Sequence, residues 1–111
     1  PADRLAAGAL RRIVPRKTFL GFFSFEKNLA RGSWPRSLDG VVRSWSAPGW
    51  VNHLLMWSNG RRTAWEIFAK LQAWCAPPPS AALVLDTVRF LRREGCLSIK
   101  PHRARPVRDI T

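Results

Sequence analysis

The sequence predicts a mainly α-helical protein with a small β-hairpin. Three observations lead to this fold class. Three segments between residues 48 and 94 place apolar side chains at helical spacing, capping residues and turns separate them, and residues 96–100 alternate with the period of a strand. The chain has 111 residues, the size of one domain, and its 46% of apolar residues can form a hydrophobic core.

The N-terminal 45 residues are predicted to form a helix, an aromatic arm and a docked loop, ahead of a winged helix with a basic tail over 46–111. Residues 1–14 predict a short helix that Pro15 ends. The apolar side of this helix is formed by Leu5, Ala9, Leu10 and Ile13.

An aromatic run over residues 18–25 follows, and it fits either a buried strand or an apolar arm. Residues 31–48 are rich in Gly, Ser and Pro, as is typical of loops. Because Trp34 and Trp45 are large apolar side chains within this loop, we expect the loop to dock onto a protein surface.

The first of the three central helices is predicted over residues 48–58, with Ser46 as its N-cap. Asn59 and Gly60 end it, because both residue types tolerate the left-handed conformation found after helices. Its inward positions are Trp50, Val51, Leu54, Leu55 and Trp57.

The second central helix is predicted over residues 64–75. Thr63 and Glu66 have the spacing of a capping box, in which each side chain bonds the backbone N–H of the other residue. The side chains expected in the core are Ala64 or Trp65, Ile67, Phe68, Leu71 and Trp74.

The third central helix is predicted from an N-cap at Ser80 to about Glu94, with Gly95 as its C-terminal stop. Three prolines before it force a turn after the second helix. Its inward side chains are predicted to be Leu83, Val84, Val88, Phe90 and Leu91.

A strand over residues 96–100 follows, and a ragged second strand over 107–110 is predicted to complete a hairpin. Three helices, of which the last two are joined by a tight turn, followed by a hairpin, predict a winged helix-turn-helix with an N-terminal arm. A three-helix bundle with an ordinary tail is the alternative.

Residues 57–67, WSNGRRTAWEI, resemble a W-x-(D/N)-G-(K/R)-R-(S/T)-x-x-E-I signature found in two groups. One is the C-terminal winged-helix region of bacterial zinc aminopeptidases of the leucyl-aminopeptidase type. The other is the peptide-binding chaperone of pyrroloquinoline-quinone synthesis. Residues 90–97, FLRREGCL, are similar to the ending that both share, and residues 14–18 and 23–25 fit the aminopeptidase connector better. The resemblance implies an accessory domain whose catalytic zinc site lies elsewhere in a larger polypeptide.

Charge limits the partners of this chain. Nineteen Lys and Arg against seven Asp and Glu give a formal net charge of +12, which favours nucleic acid, acidic lipid or an acidic protein face. Because no uncharged apolar stretch reaches about 18 residues, no membrane span is predicted. Among these anionic partners, we expect a protein or nucleic acid and not a membrane.

Cysteine usage and the N-terminus predict a cytoplasmic location. No signal-peptide pattern opens the sequence, so Cys75 and Cys96 are expected to be reduced thiols. The chain does not begin with Met, which suggests a segment of a longer protein.

No catalytic chemistry is predicted for this chain. His53 and His102 each lack a second ligand at a metal-binding spacing, so neither a metal site nor a cofactor is expected. The nucleophile elbow and the glycine-rich phosphate loops are also missing from the sequence. We therefore expect a binding function and no small-molecule substrate.

A basic winged helix raises the possibility of DNA binding through its third helix. Arg89, Arg92 and Arg93 share one polar face there with Asp86. Because the first turns of that helix are apolar, we expect phosphate contacts and no sequence-specific readout of bases. The other residues of this nucleic-acid hypothesis are Arg61, Arg62, Lys100, Arg103, Arg105 and Arg108.

The preferred hypothesis is a non-catalytic winged-helix module that recognises a protein or peptide, as an accessory domain of a larger peptidase-like protein. An apolar start of the third helix and a surplus of aromatic residues in the arm and loop favour it. The side chains predicted to bind the partner are Ala81, Ala82, Leu85, Phe22, Phe23 and Trp34.

Overall fold

A computed structural model describes residues 2–19 and 47–101 of the chain. Within these residues the protein is mainly helical, with one small antiparallel sheet, as the sequence predicts at this level. The described elements, in chain order, are α1 (Ala2–Leu10), β1 (Ile13–Lys17), α2 (Ala47–Trp57), α3 (Ala64–Trp74), α4 (Ala81–Arg93) and β2 (Leu97–Pro101).

The predicted boundary between α2 and α3 is confirmed. Gly60 has a φ of +81°, a left-handed conformation that glycine adopts without strain. The capping box of α3 is present: Glu66 N donates to Thr63 Oγ1 at 3.1 Å, and Thr63 N donates to Glu66 Oε1 at 2.9 Å. These local contacts decide where α3 begins.

Both predicted ends of α4 are confirmed as well. Ser80 Oγ accepts a hydrogen bond from Leu83 N at 3.1 Å, which satisfies a free N–H group in the first turn. At the other end, Gly95 has a φ of +81°, and Cys96 N donates to Leu91 O at 2.8 Å. The chain is thereby turned directly from α4 into β2.

The sheet joins the two ends of the described chain. β1 pairs antiparallel with β2, with Arg16 opposite Ser98 and Val14 opposite Lys100. Pro15 lies inside β1 without breaking the pairing, because its carbonyl faces Gly60 N at 3.0 Å and its nitrogen therefore also points away from β2. The hairpin strand predicted over 107–110 lies outside the described residues.

The N-terminal helix is shorter than predicted. α1 ends at Leu10, and Ile13 begins a strand instead of continuing the apolar side of the helix. Pairing with β2 satisfies the backbone groups of this segment, an interaction that helical periodicity does not reveal. Leu5 was expected to face inward, but it is 78% exposed, whereas Ala6 and Leu10 are buried.

The hydrophobic core lies between the four helices and the inner side of the sheet. Two sequence expectations need correction here: Trp74, at the last position of α3, is 76% exposed, and Phe68 is only half-buried beside the Trp65 ring. The largest fully buried side chains are Leu10, Val51, Leu54, Leu55, Ile67, Leu71, Val84, Val88, Phe90 and Leu91.

Several predicted features fall on residues that are not described. These are the aromatic arm beyond Phe19, the loop with its tryptophans, the N-cap at Ser46 and the basic tail. In the described part of the chain, no helix combines the length and apolar character needed to span a bilayer.

Candidate anion-binding site

A cleft of about 360 Å³ lies between the outer face of the sheet and the loop that joins α2 to α3. Three cationic side chains line it, one from each strand and one from the loop: Arg16, Lys100 and Arg61. All three side chains are exposed to solvent. The other lining residues are Val14, Asn59, Gly60, Ser98 and Ile99.

Strand register places two of these cations and a hydroxyl group on one face. Arg16 and Ser98 are directly opposite each other, so their side chains leave the sheet on the same side. Lys100 follows Ser98 by two residues and therefore lies on that side too. Its opposite residue, Val14, is buried.

The loop that carries Arg61 is held against β1 by backbone hydrogen bonds. Lys17 N donates to Ser58 O at 2.8 Å, and Gly60 N donates to Pro15 O at 3.0 Å. Asn59 Oδ1 also accepts a hydrogen bond from Arg61 N at 2.9 Å. β1 is thus bonded on both sides, which fixes the backbone of the cleft.

The Arg16 side chain packs against Gly60. A Cβ atom added at Gly60 would lie 3.5 Å from Arg16 Cδ, which is ordinary van der Waals contact. The aliphatic part of Arg16 therefore passes directly over Gly60.

The cleft has a concentrated positive charge. Within the described residues no carboxylate lines it, and none forms an ion pair with the three cations. Two of the described carboxylates are engaged elsewhere: Asp3 Oδ1 accepts from Ala82 N at 3.0 Å, and Glu66 belongs to the capping box of α3. Unpaired cations that share a cavity attract oxyanions, which accept hydrogen bonds from all of them.

Of these three cations, the sequence predicts a phosphate contact for Arg61 and Lys100 but not for Arg16. Arg16 was missed because β1 was not predicted, and without β1 no pattern places Arg16 next to Lys100. The available signal was an alternation in two segments, Val14 and Arg16 in one and Ser98 and Lys100 in the other.

The arginine face predicted on the third helix is exposed. Arg89, Arg92 and Arg93 are all accessible on α4, and the Arg93 guanidinium lies 5.7 Å from the centre of the Phe90 ring. Arg62 is half-buried in the loop before α3. Arg103 and Arg105 lie outside the described residues.

Two of the three residues predicted to bind a partner at the start of the third helix are not exposed in the described structure. Ala81 and Leu85 are buried, and Ala82 is half-buried. α1 packs against α4 here, and Asp3 bonds the Ala82 N–H group. The chain's own N-terminal helix therefore takes the place expected for a partner. Phe22, Phe23 and Trp34 are not among the described residues.

The cysteines and histidine of the described region do not form a reactive cluster. No group of three or more His, Cys, Asp or Glu side chains that could hold a metal ion occurs within residues 2–19 and 47–101. Cys75 and Cys96 are free thiols. Burial raises the pKa of both, and the nearby Glu94 carboxylate raises that of Cys96 further, so neither is activated as a nucleophile. His53 is exposed and stacks on Trp57.

In comparisons with known proteins, no family model, no curated protein and no solved structure matches this chain.

Proposed function

We propose that this chain is a non-catalytic recognition module that binds an acidic segment of a protein or peptide. The observation that carries the proposal is the cleft in which Arg16, Arg61 and Lys100 share one cavity with no carboxylate among its described lining. Three like charges that line one cavity give it a positive potential, which attracts an anionic partner. A chain segment with several carboxylates supplies that charge and the matching acceptors.

The finer fold assignment is part of the same proposal. α2, α3 and α4 follow one another in the order of a winged helix, and β2 follows α4 as a wing strand does. The strand beside β2 is β1, so in this reading the N-terminal segment supplies a second strand of the wing. Together with the signature over residues 57–67, this arrangement supports an accessory domain of a larger peptidase-like protein.

The position of α1 favours a protein partner over the major groove of DNA. A recognition helix inserts its N-terminal residues into that groove, but Ala81 and Leu85 at this end of α4 are buried, and α1 packs against α4. The Asp3 carboxylate also lies at the same helix end, where it would repel phosphate groups.

The test is a titration of a fluorescent twelve-residue glutamate peptide, followed by anisotropy. We expect saturable binding, and an affinity about tenfold lower for the cleft variant R16Q/R61Q/K100Q, which loses several charge-assisted hydrogen bonds. The matched control is the helix variant R89Q/R92Q/R93Q, which loses the same charge from α4. It should bind almost as the parent protein does. Equal losses in both variants would contradict a site at the cleft.

A second candidate function is phosphate-directed binding of nucleic acid, which the exposed arginines of α4 favour. In that case random duplex DNA binds at physiological salt and R89Q/R92Q/R93Q abolishes the binding. Single replacements of these arginines should each reduce the slope of log affinity against log salt concentration by about 0.9. The protein-recognition proposal expects no such binding, so one DNA titration separates the two candidates.

A further inference from the structure

We infer that the cleft receives a phosphate monoester, presented by a phosphorylated side chain within the acidic segment. This inference rests on the proposed function, because it names the group of the partner that enters the site. Three features of the cleft support it: the number of charges, the kinds of hydrogen-bond donors and the fixed backbone.

Charge favours a dianion. A single carboxylate offsets one of the three cationic charges of Arg16, Arg61 and Lys100, whereas a phosphate monoester carries between one and a half and two negative charges at neutral pH. No carboxylate lines the cleft within the described residues, so a dianionic ligand balances more of this charge than a single carboxylate does.

The donors also match a phosphate group. Two guanidinium groups and an ammonium group donate to oxyanions, and the hydroxyl of Ser98 faces the same side of the sheet as Arg16. Asn59 Oδ1 is already used by the N–H groups of Arg61 and Arg62, so the polar group that Asn59 can offer a ligand is its donor NH₂. Three phosphate oxygens can accept from such a set, but the two oxygens of a carboxylate accept fewer bonds.

The backbone that carries these donors is ordered before any ligand arrives. Arg16 lies in a strand that bonds β2 on one side and the loop at Ser58–Gly60 on the other. Pre-organised groups bind with a smaller loss of entropy. The volume of about 360 Å³ lies at the lower end of the range of ligand sites. The exposed rim leaves room for a group that projects from a peptide chain.

The test compares three peptides of the same acidic sequence, with phosphoserine, glutamate or serine at the central position, by anisotropy against the whole chain. We expect the phosphoserine peptide to bind about tenfold more tightly than the glutamate peptide. This preference should disappear in R16Q/R61Q/K100Q and persist in R89Q/R92Q/R93Q. The variant S98E, which places a negative charge on the exposed face of β2, should also lose the preference without loss of helical circular dichroism.

Each other result contradicts a specific claim. Equal affinity for the phosphoserine and glutamate peptides, with both lost in the cleft variant, overturns the phosphate inference and leaves the proposed function intact. Absence of binding by all three peptides overturns the proposed function as well. Free O-phosphoserine that competes at the concentration of the phosphopeptide itself supports the phosphate site but contradicts recognition of a chain segment.

Discussion

Single side chains determine several boundaries in this protein, and Thr63 is the clearest case. Its hydroxyl accepts from Glu66 N at 3.1 Å, while Glu66 Oε1 accepts from Thr63 N at 2.9 Å. All of these groups lie within one turn of helix. A capping box depends only on residues within one turn and not on the rest of the fold. The start of α3 is therefore predictable from four residues.

T63A should lower the free energy of unfolding by about 1 kcal/mol, because the N-cap hydroxyl is removed and the Glu66 N–H group loses its partner. Urea unfolding followed by circular dichroism measures this change. E66Q is the control, since glutamine can still accept from Thr63 N and should cost less. An unchanged midpoint in T63A would mean that the capping box does not stabilise α3.

Phe68 in α3 and Phe90 in α4 are expected to contribute differently to the free energy of unfolding. F90A should cost about 3–5 kcal/mol, because the Phe90 ring is 1% exposed and its removal leaves a cavity. The sequence predicts Phe68 in the core as well, but its ring is only half-buried. F68A should therefore lower the free energy of unfolding clearly less than F90A does. Urea unfolding of both variants tests the order, and equal costs would contradict the observed burial.

Among the elements, α1 differs most from what the sequence predicts, because it packs on the apolar start of α4. It covers the first turn of α4, with Ala6 and Leu10 buried in the core and Asp3 bonded to Ala82 N. The apolar residues at that turn were predicted to bind a partner. A helical pattern shows that such residues need a cover, but it does not show whether the cover belongs to the same chain.

Leu10 and Leu5 provide a matched test of how α1 packs. L10A should lower the free energy of unfolding by about 2–5 kcal/mol, because Leu10 is fully buried. L5A makes the same chemical change at a side chain that is 78% exposed, so it should have almost no effect. The opposite order in urea unfolding would mean that α1 presents another face to α4.

At the scale of the whole molecule, the N-terminal segment and the helical region are joined through the sheet. β1 pairs with β2, Thr18 N donates to Cys96 O, and α1 contacts both α3 and α4. The predicted division at residues 45 and 46 falls outside the described residues. The described residues on either side of this division, 2–19 and 47–101, nevertheless pack against each other.

We therefore expect the chain to unfold in one cooperative transition. Circular dichroism and tryptophan fluorescence should give coincident urea curves, because unfolding α1 and β1 would expose Leu85 and Leu97 in the rest of the protein. A fragment over 46–111 should lack a cooperative transition. Two separated transitions, or a fragment as stable as the parent, would show that the segments fold independently.

How much of the candidate site the sequence could predict depends on how far apart in the sequence its residues lie. Arg61 could be assigned from the sequence because it directly follows Asn59 and Gly60, which mark the end of a helix. Arg16 and Lys100 become neighbours only through the β1–β2 register, and no local pattern predicts this pairing. The function, the cytoplasmic location and the resemblance to two families remain predictions.

The sequence alone determined the three central helices, the N-caps of α3 and α4, the turns at Gly60 and Gly95, and the strand that follows Gly95, because these depend on contacts between residues a few positions apart. Only the tertiary structure decided that α1 covers α4, that β1 lies beside β2, and that three cations meet in one cleft. Those contacts join distant residues, such as Asp3 and Ala82, which are 79 positions apart. Periodicity shows which face of an element must be buried, and packing decides what buries it.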